Sequence, residues 1–157
     1  MLKEKIIQFI QILAQINSQG VWDIGLITAE EGQKKEAIDA VRSEVKNSEV
    51  FDFGTEVLPI DFLSALVWAL QDKKWLVVNL TGGRIDGQIY SQLRRLATTN
   101  RLQILHWQDQ AEFNLKQSDE SRVVFVASWP EIEALNLPEF TQLFGPVLDL
   151  TEERRNQ

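Results

Sequence analysis

The chain has no cysteine and a single histidine among its 157 residues. Without cysteine there are no disulfides and no thiolate nucleophiles or ligands, and the redox compartment cannot be read. One imidazole, His106, cannot supply a histidine cluster for zinc. Cations are in deficit as well: 16 Lys and Arg stand against 23 Asp and Glu, a formal charge of −7. That balance argues against general nucleic-acid binding. The local group Arg94, Arg95 and Arg101 reads as a solvated helix face. No apolar run approaches the ~20 residues of a spanning helix. The N-terminal MLKEKIIQFIQILAQINSQG interrupts its apolar positions with Lys, Glu and Gln, unlike a signal peptide. A cytoplasmic protein without membrane association is expected.

What remains is an ordinary globular composition, 44% hydrophobic and 25% charged, long enough for one domain with a core of its own. Leu2, Ile6, Phe9, Ile10 and Leu13 recur at helical spacing and predict an amphipathic helix ending near Gly20. VWDIGLIT precedes a charged helix from about Gln33 to Lys46, and VFDF is a short strand. Asp61 is the expected N-cap of DFLSALVWALQ. WLVVNL (75–80) and RVVFVAS (122–128) are continuous apolar runs suited to burial on both faces, and Trp68 and Trp75, which flank apolar runs, are expected in the core. Between them lie a helix over about 86–98 and a hairpin from RLQILHW and AEFNL. SWPEIEAL starts a short helix with Ser128 or Trp129 near its cap and Pro130 in its first turn, LPEFTQLF is a further helical turn, and GPVLDL is the last strand. Alternating strands and helices predict a three-layer αβα fold around a mainly parallel five-stranded sheet. The expected organisation is an N-terminal helix over 1–19 packed on a single domain over 20–150, with a polar tail over 151–157.

The stretch AEEGQKKE (29–36) has the length and layout of a phosphate-binding loop, G-x-x-x-x-G-K-[ST]. Laid on that template, Ala29 replaces the first glycine, Gly32 falls among the variable positions, Lys34 replaces the second glycine, Lys35 matches the lysine and Glu36 replaces the Ser/Thr. A side chain at Lys34 sits where glycine gives the backbone its freedom. The carboxylates of Glu30, Glu31 and Glu36 would stand beside a polyanion. A charged strand-to-helix turn, with acids favouring the helix N-terminus, explains the same letters.

Later segments follow in matching order. WLVVNL occupies the place of a second NTPase motif, with Asn79 and Leu80 where Asp-Glu would stand. RVVFVAS puts Ser128 at a γ-phosphate-sensing position, and SWPEIEALNLPEFTQLFGPVLDL follows it. Together these segments resemble AAA-type ATPases, particularly their MoxR-like branch. The resemblance covers residues from about 20 to 150 and implies a P-loop fold without its helical lid. It also implies lost hydrolysis, because the metal and water-activating acids are absent and the arginine that completes a neighbour's site is Leu143 here.

The expected function is accordingly a non-catalytic interaction or regulatory module, a protein partner of active ATPases, with no ATP, magnesium or other cofactor. The alternative is a regulatory protein that binds a nucleotide or another anion without hydrolysis. Its candidate residues are Gly32, Lys34, Lys35, Gly82, Gly83 and Ser128. The last option is an enzyme of unrelated chemistry using Asn79, Thr81, Asp86 or His106; Asp109 and Glu112 are the acids nearest that histidine in sequence. TGG at 81–83 superficially matches a dehydrogenase opening, but Asp86 and Gln88 occupy the later glycine positions. Partner-facing candidates are Trp107 and Trp129 at strand ends and the Ile6, Phe9, Ile10, Leu13 face, which either covers the sheet or pairs with another subunit, as in a homo-oligomer.

Overall fold

Two apolar runs set the centre of the sheet. The computed structural model describes residues 2–15, 24–82, 84–99, 101–106, 111–116 and 121–151. In chain order the elements are α1 (Leu2–Gln15), β1 (Ile24–Thr28), a 3-10 turn (Glu31–Gln33), α2 (Lys34–Glu44), β2 (Ser48–Phe53), α3 (Pro59–Gln71) and β3 (Trp75–Leu80). Then come α4 (Gly87–Thr99), β4 (Arg101–His106), β5 (Ala111–Lys116), β6 (Val123–Ala127), α5 (Trp129–Ala134), a 3-10 segment (Pro138–Leu143) and β7 (Phe144–Asp149). Five strands form a parallel sheet in the order β2-β3-β6-β1-β7, as the alternation of elements predicts. β4 and β5 form the expected antiparallel hairpin.

Every residue of β1 and β6 is buried, which is why these strands carry no polar alternation. At the β2 edge Glu49 and Asp52 are exposed. At the opposite edge the β1–β7 register shifts between Ile24 and Leu26, opposite the stretch containing Gly145 and Pro146. A proline lacking an N–H is tolerated at such an edge irregularity.

The two faces of the sheet carry separate cores. On one, Phe62, Leu66 and Leu70 of α3 and Ile89, Leu93 and Leu96 of α4 pack on Leu76, Val78 and Phe125. Phe140 and Phe144 extend this core, with edge-on rings at 5.7 and 5.5 Å from Phe125. On the other face, α1 and α2 cover Ile27, Val77, Val124 and Val126. Gly25 lets α1 approach closely, since a Cβ there would lie 2.8 Å from both Leu13 and Phe9. Arg122, fully buried at the entrance to β6, ties down the end of the same helix. Its Nε donates to the Leu13 carbonyl at 3.1 Å and its Nη2 to the Ala14 carbonyl at 3.0 Å. These are carbonyls that a helix terminus leaves without intrahelical partners.

Of the two placements weighed for the α1 face the first is met, and two other expectations are corrected. Ile6, Phe9, Ile10 and Leu13 are all buried in this second core, so they cover the sheet and do not form an open pairing face. The N-cap of α3 is Leu58, with Pro59 at the first turn. Asp61 sits three residues inside and accepts from the Leu58 N–H at 3.3 Å. Trp75 is buried as expected from its apolar surroundings, but Trp68 is 61% exposed, because α3 turns Phe62, Leu63, Leu66 and Leu70 inward and position 68 outward. Among the described residues no helix is long and apolar enough to cross a membrane.

Candidate functional site at the carboxyl ends of the strands

Parallel α/β sheets gather their loops at the carboxyl ends of the strands, where ligands usually bind. Here β1, β3 and β6 deliver Thr28, Leu80 and Ser128 to one edge. Of the five residues between Thr28 and Lys34, three spend their backbone N–H groups inside the protein. Ala29 N–H donates to the Ala127 carbonyl at 3.0 Å, Glu30 N–H to the Gln33 side-chain oxygen at 3.2 Å, and Gln33 N–H to the Glu30 carbonyl at 2.8 Å. Those three donors are therefore not turned toward a ligand, as successive N–H groups of a nest would be. Gly32 lies in this 3-10 turn, exposed, with open space where a Cβ would be.

The lysine that reaches the strand ends is Lys34, not Lys35. One residue along a helix rotates the side chain by about 100°, so Lys34 points inward and is buried while Lys35 faces solvent. The Lys34 ammonium donates to the Leu80 carbonyl at 2.7 Å and to both oxygens of Glu131, at 2.8 and 3.0 Å. The exposed Glu31 carboxylate stands 3.9 Å away at the rim. Glu131 itself is held from a second side. Its Oε1 accepts from the Ser128 N–H and from the Ser128 hydroxyl, both at 2.9 Å. Ser128 caps α5, as the Ser-Trp-Pro-Glu spelling suggests, and Glu131 completes the reciprocal capping pair. One carboxylate therefore collects an ammonium, a hydroxyl and a backbone N–H.

Beside this cluster, Asp149 closes the end of β7. It accepts from the Thr28 hydroxyl at 2.8 Å and from the Thr151 N–H at 3.0 Å. Burial pushes its pKa up, but the hydrogen bonds from Thr151 and Thr28 outweigh that and hold it below the ordinary carboxylate value.

Asn79 and Leu80, which stand where two acids would, have other work. The Asn79 amide donates to Asp52 on β2 at 3.0 Å, and the Leu80 side chain is fully buried in the core while its carbonyl receives Lys34. Leu143 is core as well. A cavity of about 360 Å³ opens between α2 and the strands β2 and β3, walled by Lys35, Ile38 and Arg42 over a floor of Val50, Asp52 and Asn79. Gly82 follows β3 with φ +122°, a conformation that favours glycine. Trp129 starts α5 and packs against the first core as a partly buried side chain. Thr81 bonds back to the Phe53 carbonyl, and Asp86 accepts from the Ile89 N–H at the start of α4, so both serve local structure. Gly83, Trp107 and Asp109 lie outside the described residues, as do the side chains of His106 and Glu112. Glu131 is the residue that sequence reasoning missed as part of the site, although its capping-box spacing from Ser128 was visible. Among the described residues no group of three or more potential metal ligands occurs.

The fold has solved counterparts. A crystal structure of NtrX from Brucella abortus in complex with ADP superposes with a TM-score of 0.54 at 10% identity, covering 98% of this chain and 37% of that one. A second crystal structure of the same protein gives 0.50 at 8% identity, covering 91% and 36%. The chain thus spans little more than a third of the length of these structures. At such identities the likeness shows the fold alone, a three-layer α/β arrangement around a parallel sheet. No protein-family model and no curated protein matches the sequence.

Proposed function

We propose that this is a non-hydrolysing P-loop-like domain, related to the AAA-type and MoxR-like ATPases, that serves as an interaction or regulatory module. The observation that carries the reading is the engagement of Lys34 by Glu131 and the Leu80 carbonyl. A lysine meant for β- and γ-phosphates would have to be available to them; this one already has a counter-ion. The chemistry around it agrees. Asn79 can offer neither a metal-binding carboxylate nor a base for water, and Leu80 offers only its carbonyl. The reading also makes protein partners, including active ATPases, the natural ligands of the domain. Its test is turnover: purified protein with ATP or GTP and magnesium releases no phosphate above a Lys34→Met control. Turnover that disappears in that control refutes the reading.

A second reading, nucleotide or anion binding without hydrolysis, is favoured by the open cavity with Lys35 and Arg42 on its wall. Calorimetry with ATP, ADP, GTP and cyclic nucleotides separates the two. Heat that is lost in Lys35→Ala supports the second reading, and silence for all four ligand types removes it for those ligands.

A further inference from the structure

We propose that the open edge of β2, with the cavity beside it, takes an extended segment of a protein partner as an added strand, one that presents acid-x-Thr-x-acid toward α2. This deepens the interaction-module reading and rests on it. β2 ends the sheet and pairs with β3 alone, without a break from Ser48 to Phe53. The Asn47 carbonyl accepts from the Trp75 N–H at 3.0 Å and the Phe53 carbonyl from the Thr81 N–H at 2.9 Å. Alternation along the strand therefore turns the backbone of Glu49 and Phe51 toward β3 and that of Ser48, Val50 and Asp52 outward. Among the described residues nothing bonds the outer side of Val50 or Asp52. The opposite edge is guarded by Pro146 and the β1–β7 register shift, whereas SEVFDF has neither proline nor bulge.

The cavity sets the chemistry of the partner. α2 is the crossover between the parallel strands β1 and β2, so it runs back along them and lines the cavity with Lys35, Ile38 and Arg42 at helical spacing. The other charges of the lining are engaged. Lys34 is held by Glu131, Glu31 stands 3.9 Å from Lys34, and Asp52 accepts from the Asn79 amide. Among the described residues Lys35 and Arg42 have no acid within ion-pair distance. The unpaired charge of the groove is thus positive in a chain of formal charge −7, which selects acidic side chains and disfavours a second copy as the occupant. Lys35 and Arg42 lie about 10 Å apart along the helix. Side chains four residues apart on one face of a strand are separated by about 14 Å, and the length of Lys, Arg and Glu side chains spans the difference. Between the two cations come Ile38, Val50 and Asn79, whose Oδ1 is buried with no hydrogen-bond partner. A threonine suits that point, its methyl group against Ile38 and Val50 and its hydroxyl as the missing donor. On the other face, the half-buried Phe51 offers apolar surface to the intervening residues.

A labelled heptapeptide, acetyl-Val-Glu-Val-Thr-Val-Glu-Val-amide, tests this by fluorescence anisotropy and amide exchange on the full chain. Wild type is expected to bind it saturably with a Kd tighter than about 1 mM. At ten times Kd the Val50 and Asp52 N–H groups exchange about elevenfold more slowly. Lysine in place of both glutamates weakens binding at least about tenfold, and K35E/R42E reverses that preference. N-methylation of every second peptide residue abolishes binding in one phase and spares it in the other, because an added strand bonds β2 through alternate residues. V50P removes an outward N–H at a position where an edge strand tolerates proline, and binding falls at least about tenfold. No saturable binding, equal binding of the lysine peptide, or N-methyl phases that behave alike overturns the proposal, and none of these needs a variant to fold. A folded V50P that binds as wild type does also overturns it. Dimerisation of the free chain that V50P abolishes, without peptide binding, assigns the edge to a second copy and overturns it too. Nucleotide turnover by wild type is a separate result and refutes only the earlier reading.

Discussion

Lys34 and Glu131 belong to segments 97 residues apart, and their coupling is measurable as a free energy. Lys34→Met removes the cation and keeps the aliphatic volume. It leaves Glu131 largely buried and takes a donor from the Leu80 carbonyl. Removing one member of a buried ion pair costs about 3–5 kcal/mol, and the lower end applies here because Glu131 keeps both Ser128 donors. Glu131→Gln preserves shape and some hydrogen bonding while Lys34 keeps Leu80, so about 2 kcal/mol is expected. In the double variant neither charge is stranded, and the total should stay near 3 kcal/mol, short of the additive 5. A coupling of about 2 kcal/mol follows. Urea denaturation monitored by tryptophan fluorescence on the four proteins gives the cycle. For a chain of this size each kcal/mol also moves the melting temperature by roughly 2–4 °C. Additivity within about 0.5 kcal/mol would refute the claim that these two groups hold the site closed.

Three further outcomes test the framework. Arg122→Met should cost about 2–4 kcal/mol, because buried carbonyls of α1 lose charged donors, and hydrogen exchange should show α1 losing protection before the sheet. Gly25→Ala should cost about 1–3 kcal/mol by pushing Phe9 and Leu13 off the strand, read as a lower urea midpoint at unchanged slope. Asp149 has its pKa lowered on folding, so its stabilisation is complete above its unfolded value of about 4 and is lost as pH falls through the folded value. Asp149→Asn should therefore narrow the gap to wild type as pH drops below about 4, with the gap constant at neutral pH.

The sheet was legible because its signal is local. WLVVNL and RVVFVAS announce burial on both faces without reference to any neighbour, and α1 shows its buried stripe in its own spacing. Trp68 was misjudged from a feature that was also local. The apolar flanks of the run drew attention, while the helical spacing of Phe62, Leu66 and Leu70 put 68 on the outer face. The site was harder for two physical reasons. Template spacing assigns the loop lysine to within a residue, but a helix converts a one-residue offset into opposite orientations, buried Lys34 against exposed Lys35. Nor does any local pattern connect Lys34 to Glu131. That contact exists only because parallel pairing sets β1 beside β6 and brings the helices that follow them to the same edge.

The position of β1 has a consequence for how the chain is made. Gly25 lies opposite Val124 and Ile24 opposite Phe144, so an interior strand of the finished sheet emerges early and meets both neighbours late. On a ribosome, β2 and β3 can pair first, whereas β1 must wait for residues beyond 122. Pairing of such sequence separation is slow and leaves apolar surface open in the interval. A nascent chain stalled before β6 would carry β1 unpaired, which makes the last third of the polypeptide the part that decides whether the first third aggregates.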